Sequence, residues 1–248
     1  MKKYIPMLFV LLGLIVNCAE FQGKDEDNNE ELQAILLALS NNAVCPTSAV
    51  SAAPTNGTRF DFTQCSGPAS AALKLAGFTA NEVQLIGGLV GSGNNSTIIT
   101  DASRLSGSAT EKKATIQITY VMNASDSTID VIMPSNTSLS GATFQITTTE
   151  LKKKLLNGTS ALAKPGLWAS SQGTEKTLCL EIHNENGAHM FGWNGPCASV
   201  NRGTYEFDEE SVTGFDFSGD RIALRINKAT VRSINIYNAN IGTAGNIR

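Results

Sequence analysis

An alternation of apolar and polar residues that begins at Thr58 constrains the fold of this chain more than any other feature. Phe60 and Phe62 alternate with Arg59 and Asp61. Because successive side chains of a β-strand point to opposite faces of a sheet, this period of two predicts strands with one buried face. About ten or eleven short strands are expected along the chain. The clearest further runs are at 116–122, 129–133, 144–146, 178–182, 205–207 and 222–226.

Turns and short helices connect these runs. Gly187 ends the segment 184–187 and is free to take a positive φ, so residues 177–193 predict a β-hairpin. Short helices are predicted at 149–157 and at 70–75. No long helix separates two strands, which excludes a parallel βαβ sheet. The predicted fold class is all-β, a two-sheet β-sandwich or jelly roll.

The last predicted strands lie at 219–227 and 229–237. They resemble the final strand pair of concanavalin-like and laminin-G-like jelly rolls, over roughly twenty residues. That resemblance implies binding of a carbohydrate or a matrix protein, and it assigns no binding residue in this chain.

The amino terminus has the pattern of an export signal. Lys2 and Lys3 precede an apolar run at 5–16 that is too short to span a bilayer, and the chain becomes polar directly after Cys18. The segment resembles bacterial lipoprotein signal peptides, in which the cysteine after the apolar run is acylated and becomes the first residue. Asn17 stands where that pattern usually has a small residue, and looser patterns of this kind resemble those of spirochaete surface lipoproteins. An ordinary secretory signal cut elsewhere is the alternative.

The lipoprotein resemblance implies acylation of Cys18, attachment to a membrane through the acyl chains, and a location at the outer membrane or cell surface. It divides the chain into a signal peptide at 1–17, a tether at 18–44 and a β-sandwich domain at 45–248. The tether is acidic and rich in Asn at its start. One short amphipathic helix is then predicted from the apolar stripe Leu32, Ile35, Leu36 and Leu39.

The charge balance excludes one class of partner. The chain has 19 basic and 22 acidic residues, and removal of Lys2 and Lys3 with the signal leaves 17 against 22, a net charge of −5. Basic residues cluster only at 152–154. We interpret this cluster as the solvent-exposed face of the helix predicted at 149–157. Phosphate binding needs a larger basic patch, so nucleic acid is not an expected partner.

Four cysteines remain beside Cys18. An even number behind an export signal favours two disulfides, although four cysteines permit three pairings. We favour Cys45 with Cys65 and Cys179 with Cys197, because these are the sequence-local pairs. Each bridge would close a loop of about twenty residues and stabilise the fold by roughly 3 kcal/mol. A zinc site made from these cysteines and the two histidines is the alternative.

The predicted hairpin contains the principal candidate site. Its candidate residues are Glu181, His183, His189 and Trp193. Alternation places Glu181 and His183 on one strand face, and the return strand brings His189 near His183. A carboxylate and two imidazoles that converge could hold a metal or transfer protons. A solvated, hydrogen-bonded strand face is the alternative.

A second cluster is acidic and lies towards the carboxyl terminus. Carboxylate oxygens suit calcium at the edge of a sandwich, so calcium is the one cofactor that the sequence suggests. The spacing matches no known calcium loop, and an acidic loop that keeps a β edge soluble is the alternative. The residues are Asp208, Glu209, Glu210, Asp216 and Asp220.

Three functions are compatible with these features. The leading hypothesis is a non-enzymatic, lipid-anchored surface protein that binds a host matrix protein or a glycan. The second is an envelope-structural lipoprotein without an external ligand, whose tether helix docks a partner. The third is a glycan hydrolase on a jelly roll, which needs two carboxylates in one cleft, roughly 5 to 10 Å apart. No GxSxG motif is present, and we assign no catalytic residue.

Overall fold

The architecture described below is that of a computed structural model. It describes residues 43–52, 55–104, 113–135, 139–155, 158–161, 172–184, 188–201, 207–212 and 220–237. The predicted signal peptide, Cys18, the tether up to residue 42 with the helix predicted there, and Asp216 lie outside the described residues. Ala43–Arg248 form one compact unit. No helix among the described residues is long and apolar enough to cross a membrane.

Sixteen strands and one α-helix make up most of the described residues. The helix, α1, is Ala69–Leu75, and a 3₁₀ turn at Phe62–Gln64 precedes it. In chain order the strands are β1 (Thr47–Ala52), β2 (Thr55–Asp61), β3 (Phe78–Asn81), β4 (Val83–Leu85), β5 (Leu89–Gly91), β6 (Thr97–Thr100), β7 (Lys113–Met122), β8 (Thr128–Ser135), β9 (Thr143–Thr147), β10 (Leu151–Leu155), β11 (Gly158–Ala161), β12 (Glu175–Asn184), β13 (Ala188–Asn194), β14 (Phe207–Val212), β15 (Arg221–Asn227) and β16 (Ala229–Tyr237).

The strands form two antiparallel sheets. Sheet A has nine strands in the order β1-β2-β16-β7-β12-β13-β14, with β5 also beside β16 and β4 beside β5. Sheet B has seven strands in the order β11-β10-β9-β8-β15-β6-β3. The predicted all-β, two-sheet fold class is confirmed.

Alternation decides which side chains enter the core between the sheets. Ile116, Ile118 and Tyr120 of β7 are fully buried there, together with Ile129 and Phe144 of sheet B. Burial of a large apolar side chain stabilises a fold by about 1.5–3 kcal/mol. The core therefore accounts for the period of two that the sequence shows.

The chain passes between the sheets at neighbouring corners. β7 leads into β8 through 123–127, and β15 leads into β16 through Lys228, which has a φ of 50°. The N–H of Asn123 donates to the carbonyl of Lys228 at 3.0 Å, and the hydroxyl of Ser127 donates to the same carbonyl. Lys228 Nζ lies 2.5 Å from Asp126 Oδ2. These contacts join the two corners.

The runs 219–227 and 229–237 form strands β15 and β16, which lie in different sheets because Lys228 turns the chain across the sandwich. The predicted number of strands, ten or eleven, is too low. Strands of only three residues, such as β4 and β5, are too short to show an alternation that the sequence can reveal.

The helix predicted at 149–157 is wrong, whereas the one predicted at 70–75 is confirmed as α1. Leu151–Leu155 form β10, which pairs with β9 and β11. Leu151 enters the core, while Lys152 and Lys154 lie on the opposite face, 2.8 Å from carboxylate oxygens of Glu150 and Asp130. Pairing with two neighbouring strands overrides the helix propensity of a lysine run.

Both predicted disulfides are present. Cys45 is bonded to Cys65 and Cys179 to Cys197, with sequence separations of 20 and 18 residues. Since each sulfur is bonded to another sulfur, the alternative of a zinc site on these cysteines does not apply.

Candidate functional site

The candidate residues lie on the face of sheet A that points away from the core, called outer face A below. On β12, Leu178 and Leu180 enter the core. Cys179, Glu181 and His183 alternate with them and therefore lie on outer face A. The predicted hairpin is confirmed, and β13 continues this face. The cross-strand pairs are Cys179 with Trp193, Glu181 with Phe191, and His183 with His189.

Glu181 is a buried carboxylate with polar neighbours. Only 2% of its side chain is exposed, and its Oε1 lies 3.5 Å from Nδ1 of His183. Its Oε2 accepts a hydrogen bond from the hydroxyl of Thr115 at 3.5 Å. A buried carboxylate needs such partners, because burial without them costs several kcal/mol. His183 retains 13% exposure of its side chain, so a ligand reaches it before Glu181.

The two imidazoles are stacked. The ring centroids of His183 and His189 are 5.1 Å apart with an angle of 11° between the planes, and Phe191 flanks both rings. Nitrogen lone pairs lie in the ring planes, so parallel stacked rings do not point at one metal ion. Within the described residues, no group of three or more His, Cys, Asp or Glu could hold a metal. The arrangement suits hydrogen bonding with Glu181 better than metal coordination.

A second apolar cluster lies on outer face A, separate from the core. It consists of Ala52, Cys179, Phe191, Trp193, Cys197 and Tyr237. Trp193 is 2% exposed, so its ring packs in this cluster and is not an open platform for a sugar. The N–H of Cys197 donates to Oε1 of Gln117 at 3.0 Å, which fixes the segment after β13 to β7.

Strand register adds residues that the sequence did not single out. Asn235 of β16 lies opposite Gln117 of β7, and Thr115 of β7 lies opposite Glu181. Asn235 is 5% exposed, and its Oδ1 has no hydrogen-bond partner among the described residues. In the sequence, Thr115 and Gln117 alternate with Ile116 and Ile118, which indicates a polar strand face. The order of strands, which brings β16 beside β7, has no signal in the local sequence.

Half-buried polar side chains continue outer face A beyond the candidate residues. Arg59 Nη2 lies 3.0 Å from Asp61 Oδ2, and the hydroxyls of Thr119 and Thr177 are 2.9 Å apart. Burial raises the pKa of Asp61, but hydrogen bonds from Thr63 and Arg59 outweigh it and hold the pKa below the usual value of 3.8. This end of the face is therefore charged and hydroxyl-rich at neutral pH.

The acidic cluster does not form one site among the described residues. Asp208 belongs to β14, the edge strand of sheet A, together with Glu209 and Glu210, so the predicted acidic loop is in part a strand. Asp220 directly precedes β15 of sheet B, and its carbonyl accepts a hydrogen bond from the N–H of Arg104 at 2.8 Å. The described members thus lie on β14 of sheet A and directly before β15 of sheet B. The part of the chain that the structure describes has no site for the predicted calcium.

No family model and no curated protein matches the chain. Among solved structures, it is similar to the apo Crh5 transglycosylase, with 14% identity and a TM-score of 0.46 over 79% of this chain and 89% of that chain. It is similar to the metal-free carbohydrate recognition domain of Emp46p, with 12% identity and a TM-score of 0.46 over 69% and 93%. The carbohydrate-binding module CBM66 from Bacillus subtilis gives 12% identity and a TM-score of 0.34 over 80% and 94%. Structural similarity at such low sequence identity does not indicate an activity for this chain.

Proposed function

We propose that the chain is a non-enzymatic, lipid-anchored surface protein that binds a hydroxyl-rich, uncharged glycan on outer face A. The observation that carries this proposal is a set of buried hydrogen-bonding side chains on a sheet face that points away from the core. Glu181, Asn235 and His189 are each 6% exposed or less. Buried polar groups need hydrogen-bond partners, and Asn235 Oδ1 has none among the described residues. His183, with 13% of its side chain exposed, is the member of this face that a polar ligand meets first.

A glycan has the chemistry that this face requires. A sugar hydroxyl can donate to Asn235 Oδ1, which has no partner among the described residues, once the side chains that cover this atom move aside. A hydroxyl that enters between His183 and Glu181 and donates to the Glu181 carboxylate forms a charge-assisted bond, roughly twice as strong as a neutral one. Two strand spacings, on the order of 10 Å, separate the strands of these two residues, so a ligand that contacts both contains more than one sugar.

The anchor in this proposal rests on the amino-terminal sequence. Cys18 directly follows an apolar run and precedes an acidic segment, as in bacterial lipoprotein signals. Two or more acyl chains hold a protein stably at a membrane where one does not. The glycan-binding face would then be displayed at the outer membrane or cell surface.

A glycan and matrix-protein array tests the proposal, with the chain from residue 19 as the probe, in the presence and absence of calcium. We expect binding to a small set of uncharged glycans that calcium removal leaves unchanged. Glu181→Gln should weaken that binding about tenfold, because a charge-assisted bond becomes a neutral one. Glu82→Gln makes the same change at an exposed position between β3 and β4 and should leave binding intact.

Two outcomes of the array would contradict glycan binding. Capture of matrix proteins with no glycan signal would assign the face to a protein ligand. Absence of binding to every glycan and matrix protein would favour the envelope-structural role.

A hydrolase is the second candidate because of one feature of the strand register. Glu181 of β12, Phe191 of β13 and Asp208 of β14 occupy one row across sheet A. The backbone positions of the two acidic residues are on the order of 10 Å apart, close to the spacing of paired catalytic carboxylates. Release of reducing sugar from the bound glycan, abolished by Glu181→Gln and by Asp208→Asn, would establish hydrolysis. Recovery of the glycan intact would exclude it.

A further inference from the structure

The face of sheet B that points away from the core, called outer face B below, has a different chemistry. Asp130 of β8 has 3% of its side chain exposed. Lys154 Nζ and Arg225 Nη1 lie 2.8 and 2.9 Å from the same oxygen of Asp130, Oδ2. Gln145 Nε2 donates to the other oxygen, Oδ1, at 2.9 Å. Two cations therefore share one carboxylate, and one positive charge is left in excess.

Positive charge is concentrated on outer face B. Among the described residues, its strand positions hold four cations and one carboxylate, Asp130. Lys152 also pairs with Glu150, in the turn before β10, at 2.8 Å. Asp101, directly after β6, accepts a hydrogen bond from Thr79 of this face and, like Glu150, offsets part of the positive charge. The four cations still outnumber these three carboxylates, whereas the whole chain has a net charge of −3. The cations are Lys152 and Lys154 on β10 and Arg221 and Arg225 on β15.

The cations are accessible to a ligand and are interspersed with neutral polar groups. The exposed fraction of the side chain is 37% for Lys154 and 28% for both Arg225 and Lys152. Long cationic side chains keep their charged ends in water while their stems cover the sheet, which agrees with the burial of Ile132 and Ala223 on the same face. The neutral polar neighbours on this face are Asn81, Thr97, Thr128, Gln145 and Thr147.

We propose that outer face B binds an acidic polysaccharide, a polymer whose sugars carry carboxylate or sulfate groups. Lysine and arginine donate charge-assisted hydrogen bonds to such groups, and the hydroxyl and amide side chains between them can bond the sugar hydroxyls. A protein partner would gain from apolar contact as well. The large apolar side chains exposed in the described residues, Val44, Leu75 and Ile86, lie on no strand of sheet B.

Calorimetry with heparin and with polygalacturonate tests this proposal on the chain from residue 19. Wild-type binding should weaken between about 25 mM and about 300 mM NaCl, because salt screens exposed charges. The double variant Lys152→Gln/Lys154→Gln should bind about tenfold more weakly than wild type at the lower salt concentration. Lys154→Arg keeps the charge beside Asp130 and should retain binding.

A matched control separates this face from net charge alone. Lys176→Gln/Lys228→Gln makes the same change of charge on β12 of sheet A and at the β15–β16 corner, and should alter binding less than about twofold. Equal weakening by both double variants would overturn the proposal. Equally tight binding to polyglutamate, or to phosphatidylcholine vesicles that contain phosphatidylserine, would also overturn it.

A single variant keeps the test decisive if the double variant does not fold. Lys152→Gln leaves the three partners of Asp130 in place and should weaken binding about threefold. Unchanged binding by a folded Lys152→Gln and by a folded Lys154→Gln would overturn the proposal. Uncharged-glycan binding on outer face A is measured separately with Glu181→Gln, so failure of one proposal is distinguishable from failure of the other.

Discussion

Single residues decide how closely the two sheets of this protein approach each other. At Gly91 of β5, a Cβ would lie 2.1 Å from the carbonyl oxygen of Ile226 and 2.6 Å from its Cβ. Ile226 belongs to β15 of sheet B, so Gly91 marks a point where backbone from one sheet meets the other. Gly93, two residues later, has nothing within 4 Å of the same position. These two glycines therefore form a matched pair for a test.

Gly91→Ala should lower the free energy of unfolding by about 2–3 kcal/mol, because the added methyl group forces the sheets apart. Gly93→Ala should change it by less than about 0.5 kcal/mol. Urea denaturation of the two variants measures both values. Equal stability of the two variants would contradict the close packing at Gly91.

Asp61 links stability to pH at the residue scale. Its side chain caps the 3₁₀ turn by accepting a hydrogen bond from the N–H of Thr63 at 3.1 Å, and its pKa is lowered in the folded protein. A lowered pKa means that the stabilisation is present at neutral pH and is lost as pH falls through the pKa of the folded state. Asp61→Asn should therefore destabilise the protein at pH 7 and make little difference at about pH 2. Urea titrations of wild type and Asp61→Asn between these pH values measure the difference in their free energies of unfolding. A difference that does not change with pH would contradict the lowered pKa of Asp61.

At the scale of elements, the sequence predicts structure that forms within one segment of the chain. It does not predict structure that depends on pairing between strands distant in the sequence. The hairpin of β12 and β13 was predicted because its alternation and Gly187 lie in one segment, and Glu181 and His183 were placed correctly on one face. β10 was missed because its lysines find Glu150 and Asp130 only after the strands pair. Asn235 could not be assigned to the site, since β16 meets β7 only through long-range pairing.

The Cys179–Cys197 disulfide on outer face A links β12 to the segment after β13 and should stabilise the fold. Removal of the bridge with Cys179→Ala/Cys197→Ala should lower the free energy of unfolding by about 3 kcal/mol, from loop-closure entropy. Trp193 packs in the same cluster, so its fluorescence should shift to longer wavelength as it gains exposure. The measurement is made in a Trp168→Phe background, which leaves one tryptophan.

The second disulfide supplies the control for this prediction. Cys45 and Cys65 lie outside the cluster that contains Trp193. Cys45→Ala/Cys65→Ala should cost a similar free energy and leave the emission of Trp193 unchanged. An emission shift in both double variants, or in neither, would contradict the packing described.

At the scale of the whole molecule, the sandwich presents two outer faces of different chemistry. Outer face A has a buried carboxylate, stacked imidazoles and amides, and outer face B has cations around Asp130. The composition alone shows a mildly acidic chain and gives no sign of this division, because it depends on which residues alternate outwards in each sheet. The proposed lipid anchor would hold both faces at one membrane surface.

Cys18→Ala should release the protein from the membrane fraction without unfolding it, because the acyl chains have no other attachment point in the proposal. Ultracentrifugation of cell lysates and labelling with a palmitate analogue measure this. Cys45→Ala/Cys65→Ala removes two other cysteines and should remain with the membranes. Membrane retention and label incorporation by Cys18→Ala would contradict the anchor.

A map of NMR chemical shifts during titration with the glycan that the array identifies shows directly whether outer face A is the ligand site. We predict that the largest changes occur at His183, Phe191 and Asn235, and that Gln145 on the opposite sheet does not change. Changes confined to sheet B, with the imidazole signals of His183 and His189 unaltered at saturating glycan, would contradict it.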